Sequence, residues 1–171
     1  MQKGKRMRTV FVSVLALLVA GCAAQPPVAP PPPAAGMHLV IRYETGPCFG
    51  FCPVYTVTVS QNGSGTFEGK QHTAVTGTRI FTVTPEHFAA FRDRLEPYRP
   101  YDVGERRIAD PNCGGLSATD FPSVDITWTE KAPQHHLHAY YGCDMERNAG
   151  MFKALQDAPE VLPIRAFIGR G

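Results

Sequence analysis

Val54-Tyr-Thr-Val-Thr-Val-Ser60 is the stretch that decides the fold, because apolar and hydroxyl-bearing side chains alternate along nearly its whole length. This period of two is typical of a β-strand with one face in a core, and β-branched residues favour strands. Gln61-Asn-Gly-Ser-Gly65 follows and contains residues that tolerate positive φ, so it predicts a hairpin turn into a second strand, Thr66–Lys70. The sequence is therefore expected to build an antiparallel sheet around this hairpin.

Further elements are predicted on both sides of the hairpin. Thr84, Pro85 and Pro97 carry the cap, first-turn and stop signals of a helix, and a second helix is expected over residues 145–157. Residues 98–122 are expected to be irregular. The other predicted strands are residues 38–44, 78–83, 123–129 and 135–141, and residues 161–168 form a short apolar closing segment. The expected fold is α+β: a mostly antiparallel sheet of about six strands, stapled by disulfides, with helices packed on one face.

The N-terminal part carries a secretory signal. Basic residues up to Arg8 precede an apolar run, residues 10–20, that is too short for a membrane span and suits a signal peptide. The run ends at Leu18-Val-Ala-Gly-Cys22, which resembles a bacterial lipobox. That resemblance implies removal of a signal peptide, residues 1–21, and acylation of Cys22. Ala23 follows, which in the enterobacterial sorting pattern implies the outer membrane.

A Pro/Ala-rich tether follows the lipidated cysteine. Residues 22–36 have no amphipathic period, and their prolines favour an extended polyproline II segment that spans roughly 30 Å. The remaining residues, 37–171, are long enough to bury a core of their own and are expected to form one globular domain.

Charge and motifs argue against several classes of function. Four of the 17 basic residues lie at the N-terminus, and without them the chain has 13 basic and 15 acidic residues. This dispersed charge predicts no nucleic-acid partner. The chain has no Gly-x-Ser-x-Gly nucleophile elbow, and Asp110–Gly115 lacks the spacing of a calcium loop. We therefore expect a protein that is not an enzyme and has no cofactor.

The cysteines that remain after lipidation predict disulfides. Cys48, Cys52, Cys113 and Cys143 are an even number in an exported domain, and they allow three connectivities. Gly50 and Pro53 favour a tight turn that can bring Cys48 and Cys52 together. The favoured pairs are therefore Cys48–Cys52 and Cys113–Cys143, with the crossed pairings left open.

A copper or redox site is the alternative interpretation of the Cys-x-x-x-Cys-Pro motif. The motif is similar to the copper-carrying motif of the Sco-type assembly factors, which also use a distant histidine, here His135. Thiolates and an imidazole suit Cu(I). Against this, the motif precedes a strand rather than a helix. Moreover, His136 and His138 lie on one face of their predicted strand, and His135 lies on the other. Alternating polar residues on a solvated sheet face explain the three histidines more simply.

The same stretch carries a family resemblance. Cys48-Phe-Gly-Phe-Cys-Pro-Val-Tyr55 and Gly65-Thr-Phe-Glu-Gly69, with Thr119–Ser123 and Tyr140–Cys143, resemble the bacterial domain of unknown function 6438. The resemblance covers residues 39–168. It implies no activity, substrate or cofactor, and it agrees with an exported or lipid-anchored protein.

The expected function is non-catalytic binding or structural work by a lipid-anchored envelope protein that faces the periplasm. The expected partners are the membrane, through the lipid, and a protein of the envelope. The candidate binding surface is Phe49, Phe51 and Tyr55, since aromatics on a rigid turn cost little entropy to immobilise. The alternative is that both phenylalanines cover the core. A weaker alternative function is inhibition of an envelope-directed hydrolase.

Overall fold

The computed structural model describes residues 38–130 and 134–169. The predicted signal peptide, Cys22 and the tether lie outside the described residues. Two 3₁₀ turns, Glu96–Tyr98 and Ala158–Val161, adjoin the helices. The described chain forms strands β1 (Val40–Thr45), β2 (Val54–Ser60), β3 (Ser64–Gln71), β4 (Gly77–Thr82), β5 (Glu105–Ile108), β6 (Ser123–Thr129) and β7 (His135–Tyr140), and helices α1 (Pro85–Leu95), α2 (Met145–Asp157) and α3 (Arg165–Ile168).

The strands form one mixed sheet in the order β4-β3-β2-β1-β6-β7-β5. All neighbouring strands are antiparallel except β5 and β7, which run parallel. The fold is α+β as predicted, but the expectation of about six strands and an irregular segment over residues 98–122 was wrong, because β5 lies there. Its sequence is Glu-Arg-Arg-Ile, and its first three residues are exposed. A short charged edge strand has no alternating pattern to reveal it.

The core lies on one face of the sheet. Tyr43 on β1 pairs with Val57 on β2, which pairs with Phe67 on β3, and all three side chains are almost fully buried. The three helices contact this row. The Tyr43 ring lies 6.2 Å from the Phe91 ring of α1, and the Phe67 ring lies 5.5 Å from the Phe167 ring of α3.

The first two helices are positioned by a cap and a buried hydrogen bond. Thr84 accepts a hydrogen bond from the backbone N–H of His87 at 3.2 Å, as the cap signal predicts, and Phe91 lies on the buried side of α1. The Tyr43 hydroxyl donates to the carbonyl of Leu155 in α2 at 3.1 Å. The helices thus cover the apolar face, and the opposite face carries polar side chains.

Candidate functional site

The loop between β1 and β2 is a disulfide-closed turn at one end of the sheet. Cys48 and Cys52 are bonded, with their Cα atoms 5.8 Å apart, and Gly50 between them has φ of 132°. A glycine tolerates this conformation because it has no Cβ. The base of the turn is pinned by Thr45, whose Oγ1 donates to the carbonyl of Pro53 at 2.8 Å. The predicted turn is therefore present and is held at both ends.

The tip of this loop presents two aromatic side chains to solvent. Phe49 and Phe51 are each 88 % exposed. The Phe49 N–H donates to the carbonyl of Asp120 at 3.1 Å, and the Phe51 ring meets the His72 ring edge-on with centroids 5.2 Å apart. The alternative that both phenylalanines cover the core was wrong. We call Phe49 and Phe51 the aromatic tip.

Tyr55 does not belong to this surface. Its side chain is only 3 % exposed, and its ring stacks against Tyr43 and Phe67, with centroid distances of 6.3 and 5.4 Å. Its inclusion in the candidate surface was wrong, because alternation along β2 places Tyr55 on the same face as Val57 and Val59, which is the core face.

A cavity of about 190 Å³ lies between this loop and the end of α2. Three tyrosines line it, together with polar side chains from the end of α2 and from the first residue of β6. Phe121, which is 39 % exposed, directly precedes the wall residue Pro122. The cavity therefore adjoins the loop that carries the aromatic tip. Its lining residues are Tyr43, Thr45, Cys52, Pro53, Tyr55, Pro122, Ser123, Tyr141, Gln156 and Asp157.

The second disulfide lies inside the domain. Cys113 and Cys143 are bonded, with Cα atoms 5.1 Å apart, and are 6 % and 0 % exposed. The carbonyl of Cys143 also accepts a hydrogen bond from the Asn148 side chain at 2.8 Å, which ties the bond to α2. The two pairs that the structure joins are the two that the sequence favours, and neither crossed pairing is present.

The structure does not bring the residues of the copper alternative together. His135 begins β7 and pairs with Trp128, whereas the Cys48–Cys52 loop meets the chain near Asp120, before β6 begins. These are opposite ends of the sheet. His135 instead accepts a hydrogen bond on Nδ1 from Arg99 at 3.1 Å. Over residues 38–130 and 134–169, no group of three or more His, Cys, Asp or Glu side chains is arranged to hold a metal ion.

A polar cluster on the open sheet face was not predicted from the sequence. One carboxylate oxygen of Asp125 lies 3.1 Å from Nε2 of His136 and 2.9 Å from Nδ1 of His138. Burial raises the pKa of Asp125, but the hydrogen bonds and charges of the two histidines outweigh it, so this pKa lies below its usual value. The register of the predicted β6–β7 hairpin, which places Asp125 opposite His138, is the signal that could have shown this cluster.

Comparison with known proteins identifies a family. Residues 39–161 match the family described as Domain of unknown function (DUF6438). No curated protein matches the chain. Among the described residues, no helix is both long enough and apolar enough to cross a bilayer.

Proposed function

We propose that this chain, which belongs to the family described as Domain of unknown function (DUF6438), is a lipid-anchored, non-catalytic protein-binding module of the bacterial cell envelope. The family description assigns no activity, so the proposal rests on features of this chain. Its contact surface is the aromatic tip, Phe49 and Phe51.

The anchor is proposed from the sequence of the N-terminal region. The apolar run that ends at Leu18-Val-Ala-Gly-Cys22 supports acylation of Cys22, and Ala23 supports an outer-membrane location facing the periplasm. The prolines before the domain support a tether that holds it away from the bilayer. Several acyl chains on Cys22 would anchor the protein durably, whereas a single acyl chain binds a membrane only reversibly.

The exposure of the aromatic tip is the observation that carries the binding function. A phenylalanine gains roughly 2 kcal/mol when its side chain leaves water, so two such side chains left 88 % exposed keep this free energy available to a partner. The disulfide and the hydrogen bond from Phe49 to Asp120 already restrict the loop. Binding therefore costs less conformational entropy than it would for a mobile loop.

The position and surroundings of the tip favour a protein partner over the bilayer that holds the anchor. The described chain enters β1 at Val40, and the loop leaves β1 at Thr45, the opposite end of that strand. Two acidic residues lie close to the loop: the backbone carbonyl of Asp120 accepts the Phe49 N–H, and Asp157, whose carboxylate pairs with Lys153, lines the cavity. The exposed carboxylate of Asp120 repels anionic headgroups, and it complements a protein surface with apolar and basic side chains.

Photocrosslinking in the full-length, lipidated chain tests this function. A photoreactive amino acid replaces Phe51 in one protein and Ile80 in the other, because Ile80 is 84 % exposed on β4 and serves as a matched control. We expect position 51 to crosslink to a discrete protein and position 80 to give none of it. After purification of that protein, Phe49→Ala/Phe51→Ala should weaken its binding by at least about tenfold, and Ile80→Ala should leave it unchanged.

Three results would overturn the proposal. Position 51 could crosslink only to lipid, or the purified chain could bind vesicles of phosphatidylethanolamine and phosphatidylglycerol through the aromatic tip, which would make the tip a membrane-inserting loop. Crosslinks only between copies of the chain would make it a self-association surface. The same crosslinked proteins in equal yield from positions 51 and 80 would show that the aromatic tip does not bind a partner specifically.

A further inference from the structure

The two disulfides differ in how easily an external thiol can reach them. Cys48 and Cys52 are both partly exposed and lie on either side of the aromatic tip. A Cβ built on Gly50, the middle residue of the ring, would meet no atom within 4 Å, so the outer side of the loop is open. Thiol–disulfide exchange requires a thiolate to approach a sulfur atom along the S–S axis, and access therefore controls its rate.

The Cys113–Cys143 bond lacks such access. Both residues are buried, and the backbone of Cys143 is held by a bridge to Ser117 and by hydrogen bonds with Tyr140 and Asn148. A thiol can attack this bond only after part of the domain has opened. Opening of packed segments is rare in a native protein, so reduction of this bond should be limited by unfolding.

We propose that Cys48–Cys52 is a site of thiol–disulfide exchange with a protein dithiol, and that its reduction weakens partner binding by the aromatic tip. The control of binding rests on the function proposed above. The exchange itself rests only on the difference in access between the two bonds.

The exchange is a balanced two-electron step. A thiolate of the dithiol attacks the sulfur of Cys48 or Cys52, the bond between them breaks, and the departing sulfur keeps the electron pair and takes up a proton. The second thiolate of the dithiol then attacks the mixed disulfide. The dithiol ends as a disulfide, and Cys48 and Cys52 end as two thiols.

Reduction should loosen the tip while leaving the sheet in place. The base of the loop is held independently of the disulfide, because Gly46 donates to the Ser123 carbonyl at 2.8 Å and Thr45 donates to that of Pro53 at 2.8 Å. The first contact holds the end of β1 to β6, and the second holds it to the residue before β2. The residues between Cys48 and Cys52 lose the covalent closure that limits their conformations, so the tip must be ordered again when a partner binds.

Timed reduction of the folded, full-length chain tests the exchange. The native protein is treated with dithiothreitol, alkylated at intervals and mapped by peptide mass spectrometry. We expect Cys48 and Cys52 to be alkylated at least about 100-fold faster than Cys113 and Cys143. Equal rates, or earlier reduction of the buried pair, would overturn the proposal.

Crosslinking separates the exchange from the control of binding. The chain with the photoreactive group at position 51 is compared before and after selective reduction, with Cys48→Ala/Cys52→Ala as a permanently open variant. We expect the reduced protein and the variant to lose at least about three-quarters of the crosslinked product. An unchanged yield after selective reduction would overturn the redox control. An unchanged affinity of Phe49→Ala/Phe51→Ala for the purified partner would instead overturn the binding function itself.

Discussion

The two disulfides of this domain join parts of the chain that differ in burial and in sequence separation. Cys113 and Cys143 lie 30 positions apart and are buried beside α2, whereas Cys48 and Cys52 lie four positions apart in a loop at the end of the sheet. The long-range bond restricts a large part of the unfolded chain, and the short-range bond restricts only a turn. The comparison shows that one pair is placed to stabilise the fold and the other to shape a surface.

The aromatic side chains of the two regions differ in the same way. Beside Cys143, the ring of Tyr141 packs edge-on against Phe152 with centroids 5.1 Å apart, and both residues are buried. Beside Cys48 and Cys52, Phe49 and Phe51 point into solvent. Burial of aromatics contributes directly to the free energy of folding, and exposed aromatics contribute little to it. The loop therefore exposes aromatic surface of the kind that is buried beside Cys143.

Removal of the buried disulfide should have the largest effect on stability. Cys113→Ala/Cys143→Ala is expected to lower the free energy of unfolding by about 3.5 kcal/mol, because the unfolded chain regains the freedom of a long ring. Urea unfolding followed by circular dichroism measures this change. A loss smaller than that of the matched Cys48→Ala/Cys52→Ala variant would contradict the assignment of the two roles.

Removal of the loop disulfide should have a smaller and more local effect. Cys48→Ala/Cys52→Ala is expected to lower the free energy of unfolding by about 2 kcal/mol, because its ring is short. Amide chemical shifts should change in the loop and around Asp120, with those of the central strands preserved. Loss of the dispersed spectrum of β2 and β6 would show that the loop supports the sheet, contrary to the comparison.

The polar cluster of Asp125, His136 and His138 on the open sheet face provides a test that depends on pH. Because the hydrogen bonds from His136 and His138 lower the pKa of Asp125 in the folded protein, the carboxylate stabilises the fold above its unfolded pKa of about 3.8. This stabilisation is lost as the pH falls through the lower folded value. Asp125→Asn should therefore cost about 1 kcal/mol near neutral pH and progressively less below pH about 3.8.

Urea unfolding at several pH values measures this difference. Glu68→Gln, on the same open face of the sheet, controls for the loss of one carboxylate. A cost of Asp125→Asn that is constant from pH 7 to pH about 2.5 would contradict the hydrogen-bonded carboxylate described here.

Regular elements of this fold could be predicted because their signals are local. The bounds of β2 and β6 follow from alternation of apolar and polar residues, and the start and end of α1 follow from Thr84 at its cap and from Pro97. Strand β5 could not be predicted in this way, because its pairing with β7 depends on tertiary contact and its residues are charged. The sheet is mixed because β5 runs parallel to β7, and the sequence of β5 has no pattern that predicts it.

The disulfide-closed turn of the candidate site could be predicted from the sequence, but the exposure of its two phenylalanines could not. Gly50 and Pro53 indicate the turn, and the turn indicates the pairing of the two cysteines beside them. Whether Phe49 and Phe51 face the core or the solvent depends on how the loop meets Asp120, which lies about 70 positions away in the sequence. Local patterns do not contain that information.

The free energy of unfolding of Phe49→Ala/Phe51→Ala tests the central claim most directly, because that claim separates the aromatic tip from the core. Both side chains are 88 % exposed, so the expected loss is below about 0.5 kcal/mol. Phe67→Ala, the matched truncation of a fully buried phenylalanine, should cost about 3 to 5 kcal/mol. A loss for the double variant that approaches the cost of Phe67→Ala would show that the tip supports the core and would contradict its proposed role as a binding surface.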